Sequence, residues 1–226
     1  ALKLALTSYL VSLAIFIPIS SWMADRFGAK TVFRTAIGVF TVGSIACAAA
    51  GSLFGFVLAR FLQGMGGAMM TPVARLVLVR STPKRDLVNA MAWLTMPALV
   101  GPLIGPPLGG FITTFMTWHW IFLVNVPIGL AGILLAGRYL PDIAPRVRRP
   151  IDGRGFLLSA LAASGTVFGL SVTSLPALPP LVGLVTLAIG IIAGALYIRH
   201  ARRHPAPILD LRLLANPVYR AAIAGG

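Results

Sequence analysis

The chain has 226 residues, 58% of them apolar and only 11% charged, with one cysteine and a formal net charge of +14. Soluble domains run at about 45–50% apolar and about 25% charged residues, which excludes an ordinary water-soluble globule; a disulfide scaffold is excluded too, because Cys47 has no partner within the chain. The basic residues sit between apolar runs rather than on one soluble face, so no nucleic-acid partner is expected.

In chain order, apolar runs cover approximately 4–24, 35–52, 53–79, 87–114, 120–140, 155–175 and 179–198, and an eighth begins near 217. Each can supply the about 20 residues that a helix needs to cross the hydrocarbon core. They are long and continuously apolar, whereas barrel strands alternate over about ten residues, so helices are expected. The fold class is therefore an all-α polytopic membrane protein with about seven complete transmembrane helices. Both ends read as internal: the chain opens on Ala1, without a signal peptide, and closes at Gly226 inside a starting helix.

Lys and Arg alternate between connections. Arg26, Lys30 and Arg34 follow the first run; Arg80, Lys84 and Arg85 the third; Arg146, Arg148, Arg149 and Arg154 the fifth; Arg199, Arg202, Arg203 and Arg212 the seventh. The connections near Ala50 to Leu53, Phe115 to His119 and Leu175 to Pro180 hold no charge. Short basic loops stay cytoplasmic, so the four basic connections are expected inside a cell (inner) membrane and the other three outside. Membrane lipid is the secondary partner of this charge.

Four patterns carry chemistry. MADRFGAK, residues 23–30, follows the opening run and combines Asp25, Arg26, Gly28 and Lys30 in a tight turn; it reads either as a charged latch against a neighbouring segment or as a solvated turn carrying topology charges. In the third run, RFLQGMGGAM places Arg60 about 10 Å into a helix, where arginine is costly and faces a cavity or a partner. Gln63, Gly64, Gly67 and Thr71 share its face, which is expected to look into the bundle; an arginine held by carbonyls or snorkelling outward is the alternative, and snorkelling is expected for Arg75. GPLIGPPLGG sets Gly101, Gly105 and Gly109 four apart, followed by Gly110, with Pro102, Pro106 and Pro107 interrupting the ladder. Only a helix packed tightly at its glycine face would accept so many breakers, so close packing is expected there. WHWIFLVNVPIG opens with Trp118 and Trp120 at an outer boundary, as an aromatic belt would; Asn125, Pro127 and Gly129 are not belt residues.

Asp25, Arg26, Gly28 and Lys30 resemble the signature loop between the second and third helices of the major facilitator superfamily, with Ser21 and Ala29 departing from it. Arg60 to Met69 resembles that family's fourth-helix motif, and residues 101–110 its fifth-helix antiporter motif, with Ala92 where an earlier glycine is frequent. Trp118 to Gly129, IDGRG at 151–155 and HPAPILDLRLL at 204–214 resemble fourteen-helix drug:proton antiporters. The resemblance implies a major facilitator bundle lacking its first helix and its C-terminal half. Residues 1–145 would be the N-terminal bundle, 146–214 a central extra helix pair with cytoplasmic loops, and 215–226 the start of the next helix. It further implies that Asp25 gates by contacting the second half, that Arg60, Gln63, Gly64 and Gly67 serve proton coupling, and that the glycine-proline helix seals against leak.

The function expected is proton-coupled efflux of small, lipophilic or cationic compounds by alternating access. Export of an endogenous metabolite such as an amino acid or siderophore is the alternative, followed by a non-transporting scaffold or sensor. All five acids, Asp25, Asp86, Asp142, Asp152 and Asp210, lie in or beside basic connections, so a proton-carrying carboxylate is expected from elsewhere in the transporter. No phosphate-cradling Gly-Lys-Ser/Thr loop is present, so neither ATP nor another cofactor is expected. His119, His200 and His204 are read as belonging to no ligand cluster, so no metal site and no enzyme activity are expected.

Overall fold

A computed structural model describes residues 2–143, 150–173 and 179–224. Arg146, Arg148, Arg149 and the connection at 174–178 lie outside the described residues. The ordered elements are all helical: α1 (Leu2–Phe16), α2 (Ser20–Phe27), α3 (Ala29–Ala48), α4 (Leu53–Ser81), α5 (Leu87–Phe115), α6 (Trp120–Leu123), α7 (Asn125–Tyr139), α8 (Gly153–Thr173), α9 (Pro180–Arg203) and α10 (Pro217–Ala224), with two short 3-10 turns. Among the described residues six helices are long and apolar enough to span a membrane, and seven if the bent α1–α2 pair counts as one.

Proline and glycine set the breaks. Pro18 cannot donate to the ladder and its ring crowds the preceding turn, and the first run bends there by 54° between α1 and α2. The second run starts at Ala29 rather than near 35, because residues 23–27 of the expected loop are helical. The turn collapses onto Gly28, whose φ of 86° is the one positive value among the described residues. Ser52 caps α4 by accepting from Gly55 N–H at 3.1 Å. Thr82, preceding Pro83, is extended and stops that helix at its far end. Pro127 has no N–H for the Leu123 carbonyl, and the fifth run divides nearby into α6 and α7.

The α3 and α4 helices form the central pair, with α1 packed on α4 and α7 on α3. The hairpin of α8 and α9 docks through α8 onto α1. Small residues make this possible: a Cβ on Gly43 would lie 2.6 Å from Gln63 Cα, and one on Gly165 would lie 2.8 Å from Gly190 Cα. At the basic end Ile19, Ala24, Val32, Met69, Val73 and Val77 form a buried apolar cluster around the α1–α2 bend.

The α5 helix departs from expectation. It runs unbroken through Pro97, Pro102, Pro106 and Pro107, and Ile112 is its one buried residue. A Cβ on Gly101, Gly105, Gly109 or Gly110 would meet nothing within 4 Å. The expected tight packing of the glycine face is therefore not made among the described residues; α5 touches chiefly α4 and α6, and its apolar side chains, such as Leu103 and Phe111, stay exposed.

Candidate functional site

The centre of the bundle is crossed by a polar bridge that no single helix encodes. Arg60, a quarter of the way along α4, reaches forward one turn and donates from Nη1 to Gln63 Oε1 at 2.5 Å. Its guanidinium carbon lies 4.3 Å from the centre of the Tyr9 ring on α1 and 5.8 Å from that of Phe122 on α6. Stacking on an aromatic face is worth about 2 kcal/mol or more when desolvated, which offsets part of the cost of embedding the charge. Gln63 is 2% exposed and donates from Nε2 to Ser44 Oγ on α3 at 2.7 Å. Ser44 Oγ donates to the Phe40 carbonyl at 2.9 Å and accepts from Asn125 Nδ2 on α7 at 3.4 Å. Cys47 Sγ lies 3.9 Å from Gln63 Oε1.

The Arg60–Met69 and Trp118–Gly129 patterns thus meet through Ser44. Gly64 lies against the Tyr9 carbonyl and Ser12, while Gly67 faces the Tyr9 hydroxyl, so both let α1 approach α4. Gly129 is buried against Thr41, in a place where a Cβ would strike that hydroxyl. Pro127 marks the α6–α7 break; Trp118 and Trp120 are exposed at the uncharged end, where Trp118 stacks on His119 and meets Phe56 edge-on at 5.5 Å. Thr71 corrects one expectation: it is exposed and lines a 200 Å³ cleft toward α5 with Arg75, off the polar face. The bridge offers a fixed cation, oriented by an amide and an aromatic ring, in a layer that contains none of the five aspartates.

At the basic end Asp25 closes a second arrangement. Its Oδ1 accepts from Arg80 Nη2 at 2.7 Å, joining the end of α2 to the end of α4. Arg26 lies over the rings of Trp22 and Phe27 at 5.6 and 5.9 Å. Lys30 stands 3.7 Å from Asp142 beyond α7. Asp25 and Arg80 also line a 380 Å³ cleft whose far wall is Pro150, Asp152 and residues 206–208, so the central helix pair abuts the charged turn. The glycine-proline pattern of α5 joins neither arrangement.

Asp152 ends the connection before α8 and caps it, accepting at Oδ1 from Gly155 N–H at 2.9 Å and from His200 Nε2–H at 2.8 Å. Gly155 is required by that contact, because a Cβ there would lie 2.7 Å from Asp152 Cγ. Burial pushes the Asp152 carboxyl up, but the Gly155 and His200 hydrogen bonds and the charges of His200 and His204 outweigh it and hold the group below the usual carboxylate value. The reading that His200 and His204 share no ligand cluster is corrected here: with Asp152 they bring one ligand atom each within 4.8 Å of the others.

Sequence reasoning missed Tyr9, Ser44, Arg80 and the Asp152–His200 pair. Arg80 was legible only as a topology charge, and Tyr9 and Ser44 sit in apolar runs with nothing to single them out. The partners that bring them into these arrangements are 19 or more residues away, so no local spacing could have revealed them.

The family model described as Major Facilitator Superfamily matches residues 1–214. Over 224 residues the chain is 38% identical to the protein named "Putative multidrug resistance protein MdtD" of Escherichia coli strain UMN026, an alignment that covers 99% of this chain and 47% of that one. Proteins of the same name in Escherichia coli strain SMS-3-5 and Shigella flexneri serotype 5b give the same identity and coverage. The chain spans about half the length of the curated relatives it matches.

Proposed function

The chain belongs to the Major Facilitator Superfamily, and from that premise we propose that it forms part of a proton-coupled secondary active exporter of small, lipophilic or cationic compounds. The observation that carries this reading is Arg60, a cation held within the bundle by Tyr9 and by Gln63, which is itself fixed by Ser44, rather than released to either surface. A half-buried charge within a membrane-length helix is a functional group by default, because embedding an arginine costs about 3 kcal/mol on insertion scales. The name of the relatives, multidrug resistance protein, supports the substrate class.

In this reading two helical halves rock about a central cavity, in the inner membrane, with the basic end toward the cytoplasm. A carboxylate brought beside Arg60 by the rest of the transporter is kept ionised by the guanidinium, until a proton or a cationic substrate competes for it. The Asp25–Arg80 pair latches the cytoplasmic end in one of the two states, and its release accompanies the rocking motion. The glycine face of α5, bare among the described residues, is where the second half packs.

The test uses the full-length protein in cells. Efflux of a fluorescent lipophilic cation is expected to stop with a protonophore and in Arg60→Ala, and Arg60→Lys is expected to lose coupling because lysine lacks the planar fork. Absent efflux despite verified membrane expression would overturn the multidrug reading in favour of a narrow endogenous substrate; fully coupled efflux by Arg60→Lys would overturn the role of Arg60.

A further inference from the structure

Asp152, His200 and His204 lie apart from the polar bridge, where the start of α8 meets the end of α9. The Asp152 side chain is 3% exposed, and its Oδ1 is fixed by Gly155 N–H and by His200. Its Oδ2 is buried and has no hydrogen-bond partner among the described residues. His204 stacks on His200 with ring centres 5.0 Å apart, so two imidazoles and a half-satisfied carboxylate converge. We propose that Asp152, His200 and His204 form a three-ligand site for a divalent transition-metal cation of the zinc class, with a fourth position open to solvent.

The geometry is close to what such a cation needs. Bonds of about 2.0–2.2 Å in a tetrahedral site put the ligand atoms about 3.4 Å apart. His200 Nε2 and Asp152 Oδ1 are 2.8 Å apart, and all three ligand atoms already lie within 4.8 Å. Closing the set takes a shift of at most about 1.4 Å. It falls mainly on His204, which follows the last helical residue of α9 and is not held by the helix ladder on its far side. On ligation the His200 hydrogen moves from Nε2 to Nδ1, and His204 gives up the long 3.3 Å hydrogen bond that its Nδ1 accepts from Ala206 N–H. Two imidazoles with one carboxylate favour zinc, nickel, copper or cobalt over magnesium or calcium. A cation here staples α8 to α9 and holds residues 206–208 in place as a wall of the cleft beside Asp25 and Arg80.

The experiment takes the full-length protein in detergent, without a polyhistidine tag and stripped of metal by chelator, and titrates it with Co2+ and then Zn2+. The expected result is one Co2+ per chain with visible d–d absorption, displaced by Zn2+, unaffected by Mg2+, and accompanied by a rise in melting temperature. Loss of a supporting contact alone weakens a metal site about 10–100-fold, so His204→Ala and His200→Ala should each lose at least about 100-fold in affinity. His119→Ala, at the opposite end, should bind as the wild type does. His204→Asn, which keeps the side chain polar and of similar size, should match the metal-free melting temperature of the wild type yet show no rise with Zn2+. Absence of saturable Co2+ and Zn2+ binding at micromolar concentration, or binding unchanged in His204→Asn and His200→Ala, would overturn the proposal whatever the transport activity proves to be.

Discussion

Replacing Gly43 by alanine tests the closeness of the central helix pair. The new Cβ would sit 2.6 Å from both Gln63 Cα and Gln63 N, and ordinary contact begins near 3.4 Å, so α3 and α4 must part by about 0.8 Å. The obstruction is backbone, which cannot rotate away, and overpacking of this kind costs about 1–3 kcal/mol. The same displacement stretches the 2.7 Å bond from Gln63 Nε2 to Ser44 Oγ to about 3.5 Å and loses it. A hydrogen bond between membrane helices contributes about 0.6–1.7 kcal/mol, so the total penalty is about 2–5 kcal/mol. The assay is unfolding of the full-length protein in detergent micelles, followed by circular dichroism, with Gly105→Ala as the contrast. A Cβ at Gly105 meets nothing within 4 Å among the described residues, so that variant should leave the packing of α1, α3, α4 and α7 intact and report only on contacts made elsewhere. Gln63→Ala should not rescue Gly43→Ala, since the clash is with the main chain. Wild-type stability in Gly43→Ala would refute the backbone-to-backbone approach and the polar bridge built upon it.

Two further outcomes follow from the charged end. Asp25→Asn removes one partner of a pair whose acid is more than a third exposed, worth about 1 kcal/mol or less, too little to unfold the bundle. Membrane abundance measured by immunoblot should therefore be unchanged while turnover falls, and unchanged turnover would remove Asp25 from gating. For Asp152 the folded carboxyl is held below its ordinary value, so its stabilising contribution is complete above about pH 4 and is lost as pH falls through the lower folded value. Melting temperatures of wild type and Asp152→Asn should accordingly differ at pH 7 and converge below about pH 4; a constant gap across that range would refute the assignment.

Much of the fold was legible because the membrane permits few solutions. Once seven apolar runs were counted, backbone hydrogen bonding in lipid dictated helices, and the alternation of basic and uncharged connections matched the sorting of Asp25, Arg80, Lys30 and Asp142 to one end and Trp118 to the other. Gly28 was visible as a turn residue, whereas the bend at Pro18 inside the first run was not singled out, and whether residues 23–27 coiled as a helix or a loop was decided by burial of Ala24 in the cluster with Val32 and Val77. Local pattern was least informative about α5. Glycine at four-residue spacing states that a helix is able to pack closely, and only the tertiary structure decided that this face meets nothing among the described residues while Gly43 and Gly165 do the close packing.

The sequence by itself determined the class of molecule, the number and approximate span of its helices and the presence of an embedded Arg60, because hydrophobic length and the cost of buried charge are local properties read one helix at a time. The tertiary structure alone decided whom Arg60, Asp25 and Asp152 face. Tyr9, Arg80 and His200 reach them from other helices, and Ser44 reaches Arg60 through Gln63, over separations at which periodicity carries no signal and only the packing of small residues brings side chains together.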